Sequence, residues 1–367
     1  MLSYIIWTAT PEIIPGTTFP VWYGPLFASG FVVGYLIIAK IFKWEGKPEQ
    51  DLDTLLMYMV GGTVLGARLG HCLFYEPAVY LSNPIKILYV WEGGLASHGA
   101  LVGILLGLYL YSRKRAGQNF LWVADRIVIA VAFGGAMIRT GNLMNHEIIG
   151  KPADQPQSFV FTNSLRSILQ YTDEKQKELS YFDLQPDTKA KDTIVNKVVH
   201  KPMILKIYYK GLPNLERAAS LSIDLFNQTT PSADTAKYKR ELPKHFRQFR
   251  PIEAKSSKEG VYQVIETKIY GIPRHPSQLY EGISTFCLFL LLYFLYYLQK
   301  EKTPNGQLFG LFLILLFTLR FFYEFLKENQ VDFEDKLSYN MGQLLSIPGV
   351  IIGVVALLYS SLKRKQS

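Results

Sequence analysis

Apolar residues along this chain fall into seven blocks, at positions 21–42, 52–75, 95–112, 120–144, 279–298, 308–326 and 344–362. Short polar stretches and one long polar insertion separate them. Each block approaches the length of a membrane-crossing helix, which takes about 20 mostly apolar residues at a rise of 1.5 Å each. Seven such blocks would leave a soluble protein too little polar chain to cover them. The pattern therefore predicts an all-α polytopic membrane protein with seven transmembrane helices. Blocks 52–75 and 120–144 fit the pattern least well, because glycines and polar residues interrupt them.

Charge supplies an orientation. Lys40, Lys43, Lys47, Arg113, Lys114, Arg115, Lys300, Lys302, Lys363, Arg364 and Lys365 fall on one side of the predicted bundle. The short loops of the other side carry Lys86, Lys327 and Lys336, beside Asp332, Glu334 and Asp335. Lys and Arg accumulate in short cytoplasmic loops, so the N-terminus is expected outside and the C-terminus in the cytoplasm. Only 19% of the residues are charged, below the roughly 25% of soluble domains.

The insertion at 151–270 is polar and basic, with 20 Lys and Arg against 14 Asp and Glu. Long translocated loops escape the positive-inside rule, so its charge does not argue against an external position. Alternation at 203–209 and 261–270 predicts strands, and 164–179 predicts a helix. The expected organisation is four helices in 1–150, a small α+β extracytoplasmic head in 151–270, and three helices with a basic tail in 271–367. The first lysine is Lys40 and Pro11, Pro15 and Pro20 break the early apolar run, so the first twenty residues predict a surface segment rather than a cleaved leader. Cys72 and Cys287 lie inside predicted helices and suggest neither a disulfide nor a metal site. No cofactor, metal or nucleic-acid partner is expected.

The ionisable residues within the blocks attract attention because a charge at the centre of a spanning helix costs roughly 2.5–3.5 kcal/mol on insertion scales. Arg68, His98, Arg139, Arg274, Glu281, Arg320 and Glu324 all count out towards the external face. Arg139, Asn142 and His146 share one helical face. In Arg274-His275-Pro276-Ser277-Gln278-Leu279-Tyr280-Glu281, Pro276 fits the first helical position, which would set free N–H groups beside Arg274 for an anion. Gln278 and Glu281 can face inward from the same helix, and Glu281 could equally pair with an arginine. Glycines surround His98 in Trp91-Glu92-Gly93-Gly94-Leu95-Ala96-Ser97-His98-Gly99-Ala100, and histidine is a natural general base near neutral pH. Arg68 with Tyr75, and Arg320 with Glu324, could be functional or purely structural pairs.

At these residues the chain resembles the prolipoprotein diacylglyceryl transferase family. The likeness runs from Trp22-Tyr23-Gly24 through GARLGHCLFY, WEGGLASHGALVG and IRTGNLMNHEIIG to RHPSQLYE and MGQLLSIP, ending at Pro348. The resemblance places the family's arginines on Arg139 and Arg274, its histidine on His98, its tyrosine on Tyr23 and its Asn/Glu set on Asn142, Asn145 and Glu147. Gly93 and Gly150 match family glycines. The resemblance implies a multi-pass enzyme of the bacterial cytoplasmic (inner) membrane. It would transfer diacylglyceryl from phosphatidylglycerol to the lipobox cysteine thiol of a preprolipoprotein signal peptide, releasing glycerol phosphate. Catalytic roles would fall to His98, Arg139, Arg274, Glu147 and Tyr23, and substrate contacts to Arg139, Arg274, Asn142, Asn145, Arg68, Gln278, Glu281 and Gly93. Three positions depart from the pattern: Ile138 and Ala100 stand where glycine is usual, and Asn145-His146-Glu147 replaces Asn-Gly-Glu. The head at 151–270 is longer than the resemblance leads one to expect. A phospholipid transporter or scramblase is the rival reading, but it should show repeat symmetry and helices broken near the midplane.

Overall fold

The computed structural model describes residues 4–14, 17, 19–89, 94, 96–173, 179–210, 242–247, 255–328 and 339–364. The chain forms two compact units. The helical unit comprises Gly24–Thr140, Glu281–Phe322 and Lys336–Ser367; the sheet unit comprises Met1–Tyr23, Gly141–Tyr280 and Tyr323–Asp335.

All seven apolar blocks are helical: α1 (Tyr23–Trp44), α2 (Glu49–Phe74), α4 (Ser97–Ser112), α5 (Phe120–Met144), α7 (Ser277–Gln299), α8 (Gln307–Tyr323) and α9 (Met341–Arg364). The short α3 (Pro77–Ser82) follows α2, and α6 (Asn163–Asp173) belongs to the sheet unit. Five helices, α1, α5, α7, α8 and α9, are long and apolar enough to cross a membrane. Large apolar side chains stand exposed on α1, α7, α8 and α9 and on α2 and α4, among them Leu36, Met57, Val102, Phe294, Leu298, Ile351 and Val355. Such an extensive apolar exterior marks a surface that meets lipid. The polytopic membrane reading therefore stands on both length and surface.

The other two helices hold together differently. At 26 residues α2 is about 39 Å long but carries Glu49, Asp51, Asp53 and Arg68, while α4 has only 16 residues. They meet along glycines spaced four apart, Gly62, Gly66 and Gly70 on α2 against Gly99 and Gly103 on α4. A Cβ at Gly62 would lie 2.5 Å from the Gly103 carbonyl oxygen, and one at Gly70 would lie 2.7 Å from Gly99 Cα. Within lipid there is little hydrophobic force between helices, so close backbone approach across small residues is what joins them. The glycines that interrupt block 52–75 are thus its packing surface.

Two buried carboxylates inside the helical unit are well matched. Glu45 accepts Arg126 Nε at 3.1 Å, Trp122 Nε1 at 3.1 Å and the Tyr296 hydroxyl at 2.6 Å. Asp125, wholly buried, accepts the Gly306 and Phe309 N–H groups at 2.6 and 2.8 Å and so caps the start of α8.

In the sheet unit, β5 (Val198–Lys210) pairs antiparallel with β8 (Tyr262–Gly271) from Lys201↔Gly271 to Lys210↔Tyr262. β3 (Leu179–Pro186) lies on the other side of β5, while β6 (Phe246–Arg247) and β7 (Lys255–Glu259) both pair with β8. β4 (Thr193–Val195) folds back on β5 through Asn196 and Lys197, whose φ values of 51° and 65° suit a two-residue hairpin turn. Leu165, Ile168 and Leu169 of α6 pack into a core with Met203, Leu205, Ile207, Ile265 and Ile269. The helix expected over 164–179 ends sooner, because Leu179 opens β3. The N-terminal surface segment is in part a strand: β1 (Ile5–Trp7) pairs in parallel with β2 (Phe159–Phe161).

Gly66→Ala is expected to destabilise the protein by about 1–3 kcal/mol, since overpacking at this seam must push two backbones apart. Gly61→Ala, where an added methyl meets nothing within 4 Å, should be neutral in the same thermal-unfolding assay.

Candidate active site

Within the helical unit, Arg139 on α5 is tied to α7 by its Nε, 2.6 Å from Glu281 Oε2. The Glu281 side chain is 6% exposed and that of Arg139 23%. Helix packing makes the pair possible: a Cβ at Gly282 would already touch Arg139 Cβ at 3.5 Å. One edge of the guanidinium is thus anchored, while its two terminal nitrogens have no hydrogen-bond partner among the described residues. An apolar cavity lined by Phe27, Phe31, Met59, Val131 and Gly134 reaches Ile138, the residue before Arg139.

Arg68 serves the backbone instead. It donates to the carbonyls of Lys86 at 2.6 Å and Ile87 at 2.9 Å and stacks over Tyr80 at 5.0 Å, pinning the stretch after α3. His98 stands exposed in the first turn of α4, presented by the glycine seam. Gly93 lies outside the described residues.

The sheet unit holds the rest. At the end of α5, Glu147 N–H donates to Asn142 O at 2.9 Å and His146 N–H to Leu143 O at 3.2 Å, with His146 at φ 55°. This is the paired-bond helix terminator whose left-handed position normally takes glycine. The departure at His146 falls on that position. Its Nε2 lies 2.8 Å from Ala9 O and its ring packs edge-on against Phe161, 5.6 Å between centroids, which offsets the strain. Asn142 is buried, Glu147 is exposed, and Asn145 Nδ2 reaches Glu147 Oε1 only at 3.5 Å. Tyr23 packs against the same run: a Cβ on Gly141 would lie 2.8 Å from the Tyr23 ring.

Arg274 is buried and heavily engaged. It donates from Nε and a terminal nitrogen to Lys244 O at 2.9 and 2.5 Å, and from its other terminal nitrogen to Gly150 O at 3.0 Å and Glu328 Oε1 at 2.5 Å. Gly150 has no room for a side chain, since a Cβ would lie 2.5 Å from His275 O. The open N–H row expected at the start of α7 is largely spent: Ser277 donates to His275 O, and Leu279 and Tyr280 to Pro276 O. Ser277 Oγ donates to Ile148 O at 2.6 Å and Gln278 Nε2 to Glu147 O, so this helix start clasps the Glu147 turn. Glu324 takes Lys327 at 2.9 Å.

A match to the family model of prolipoprotein diacylglyceryl transferase extends over residues 14–359. The chain belongs to the prolipoprotein diacylglyceryl transferase family. Relatives named phosphatidylglycerol–prolipoprotein diacylglyceryl transferase include one from Chloroherpeton thalassium, 33% identical over 99% of this chain and 97% of its own length. Another, from Tolumonas auensis, is 34% identical over 97% of this chain and 98% of its own. One from Bacteroides fragilis is 31% identical over 99% and 98%. These end-to-end matches include the long 151–270 insertion, so this feature is shared within the transferase family.

Sequence reasoning missed the Lys244 carbonyl and Glu328, which no local pattern announces. It also passed over Arg126, which the same rule about charges in apolar blocks should have flagged.

Two predictions follow from the turn and its neighbours. Removing the left-handed strain gains about 1 kcal/mol, and losing the Ala9 bond costs a similar net amount. His146→Gly should therefore be nearly neutral in thermal unfolding, whereas His146→Val loses the bond and worsens the backbone. Burial pushes His245 down to about 3, with the charges of Arg274 and Lys244 adding to it, and pushes half-buried His146 down to about 4. From the ordinary 6.5 down to these values the unfolded chain binds more protons than the folded one. Stability is therefore full above pH 6.5 and falls as the pH drops towards 4, and a melting series across that window checks it.

Proposed function

We propose that this protein transfers the diacylglyceryl group of phosphatidylglycerol to the lipobox cysteine thiol of a preprolipoprotein. The cysteine sulfur attacks the glycerol carbon that bears the phosphate, the carbon–oxygen bond breaks, and glycerol phosphate leaves with the electron pair. A thioether remains and the thiol proton passes to a base. A free thiol has a pKa near 8.5, so ionising it is part of the task. The observation that carries this reading is Arg139, whose Nε is anchored by Glu281 while its terminal nitrogens have no hydrogen-bond partner among the described residues; an apolar cavity reaches the preceding residue, Ile138. A guanidinium fixed in this way offers a planar fork to a phosphate and stabilises the charge that gathers on the leaving oxygen. The cavity is suited to acyl chains.

In this reading the family resemblance assigns Arg274 to the headgroup, Tyr23, Asn142, Asn145 and Glu147 to the substrate site, and His98 to the thiol proton. Arg68 and Gln278 position the surrounding backbone, and Gly93 keeps the substrate-contact role that the resemblance gives it. All seven helices span the bacterial inner membrane, with the N-terminus and the 151–270 insertion outside and the basic C-terminus in the cytoplasm. The counts of Lys and Arg in the short loops support that orientation.

The test is incubation of the purified protein with labelled phosphatidylglycerol and a lipobox peptide, read by peptide mass. The expected result is a gain of one diacylglyceryl unit. Arg139→Lys keeps the charge but loses the fork, and removing one positioned donor should cost about a hundredfold or more in turnover. Full activity in Arg139→Lys would count against the assignment, as would near-normal turnover of His98→Gln across pH 6 to 9 for the base.

A further inference from the structure

Two lysines from different helices converge on one indole where α1 and α7 terminate, wholly within the helical unit. The ammonium of Lys40 lies 5.0 Å from the centre of the Trp44 ring, and that of Lys300 lies 5.5 Å from it. Lys300 also covers Tyr297 at 5.6 Å. Trp44 packs against Tyr296 and Tyr297, 6.2 and 5.9 Å between centroids. Both lysines are exposed, and neither has an ion pair or hydrogen bond among the described residues. Lys43 and Lys302 stand exposed in the same stretches of chain. The carboxylates of those stretches are Glu301 and Glu45, and Glu45 is engaged by Arg126 at 2.9 Å.

Placing Lys300 at this point strains the backbone. Its φ is 50°, in the left-handed region, at the end of α7 where glycine normally stands. A strained residue held in place by its surroundings points to a use for the side chain. Glycine would relax this turn but would lay no ammonium over the two rings.

The apolar surface leads to the same place. Val32 and Leu36 stand exposed on α1 at a spacing of four, and Lys40 continues their row. Leu290, Phe294 and Leu298 form a similar exposed row on α7, which ends just before Lys300. Tryptophan and tyrosine favour the headgroup level of a bilayer, and their cluster sets that level here. Each row therefore has a cation at its headgroup end, the same order of parts as in a phospholipid. Two ammoniums without counter-ions suit a lipid of net negative charge, whereas a zwitterionic headgroup brings a cation that they repel. Arg126 shares this end of the unit through Glu45, and Arg139 lies thirteen residues further along α5, about 20 Å by the helical rise. The cluster is thus separate from the Arg139 site.

We propose that Lys40 and Lys300, set on Trp44, hold the phosphate of an anionic phospholipid whose chains lie along these two rows. This lipid is bound rather than consumed, so the inference does not rest on the transfer reaction proposed above.

The experiment reconstitutes the full-length protein in phosphatidylcholine vesicles containing brominated phosphatidylserine or brominated phosphatidylcholine, which quench tryptophan on contact. The Trp44 signal is the difference between the wild type and Trp44→Phe. One basic residue at an anionic surface is worth about fivefold in association, so the two lysines predict a preference for the anionic lipid of about twenty-five-fold at low salt. Lys40→Gln and Lys300→Gln should each lower it about fivefold, and Arg139→Gln should leave it unchanged. Lys300→Gly relaxes the turn and should lower the preference as far as Lys300→Gln does, which separates the charge from the fold. In the wild type the preference should weaken as salt rises. Equal quenching by the two lipids, indifference to salt, or an undiminished preference in the doubly substituted protein overturns the inference. So does a preference lost in Arg139→Gln but kept in the lysine variants, which would assign the lipid to the substrate site.

Discussion

A guanidinium inside an apolar environment must find partners within the protein, and that requirement organises this molecule. Arg126 finds Glu45, with Trp122 beneath it. Arg68 finds backbone carbonyls, and Arg274 finds carbonyls and Glu328. Each of these is met on several sides, because a buried charge left unmatched costs several kcal/mol. Arg139 differs in having one anchored edge and one open edge. Arg126, Arg68 and Arg274 are thus bonded on several sides, and Arg139 on one among the described residues. The helices could not be moved apart without exposing these partnerships, so the charges constrain packing as strongly as the apolar residues do.

The glycine seam between α2 and α4 supplies a second constraint with the opposite chemistry. Nothing polar joins Gly62, Gly66 and Gly70 to Gly99 and Gly103; contact depends on the absence of side chains. The seam also places Ala96, whose N–H donates to Ala67 O at 2.9 Å, and thereby the turn that presents His98. A histidine in the first turn of a helix is only as fixed as the helix, and here the fixing is by backbone contact.

Much of the fold was legible because lipid leaves few options. Block 120–144 matches α5 at both ends, and block 279–298 falls within α7 extended by two residues before and one after. The strands over 203–209 and 261–270 emerged because alternation survives in β5 and β8. The pairing of Ile5–Trp7 with Phe159–Phe161 was not legible, since a three-residue strand carries almost no period and its partner lies far along the chain. In the site, the Arg139–Glu281 pair could be weighed from helix faces alone. The clasp of Arg274 could not, because carbonyl partners have no residue signature. The histidine at 146 was recognised as unusual, but its reason, a left-handed backbone held by Ala9, lay in a segment that local reasoning never connected to it.

The sheet unit is stitched from three separated stretches of chain, and its last stretch brings Glu328 to Arg274 across 54 residues. During biosynthesis, at about 5–20 residues per second, Arg274 therefore waits roughly 3 to 11 s for its carboxylate to be made. Over that interval the nascent segment lacks the ionic clasp of the finished protein. Final closure of the unit is timed by the ribosome, and comes only after α7 and α8 have been synthesised.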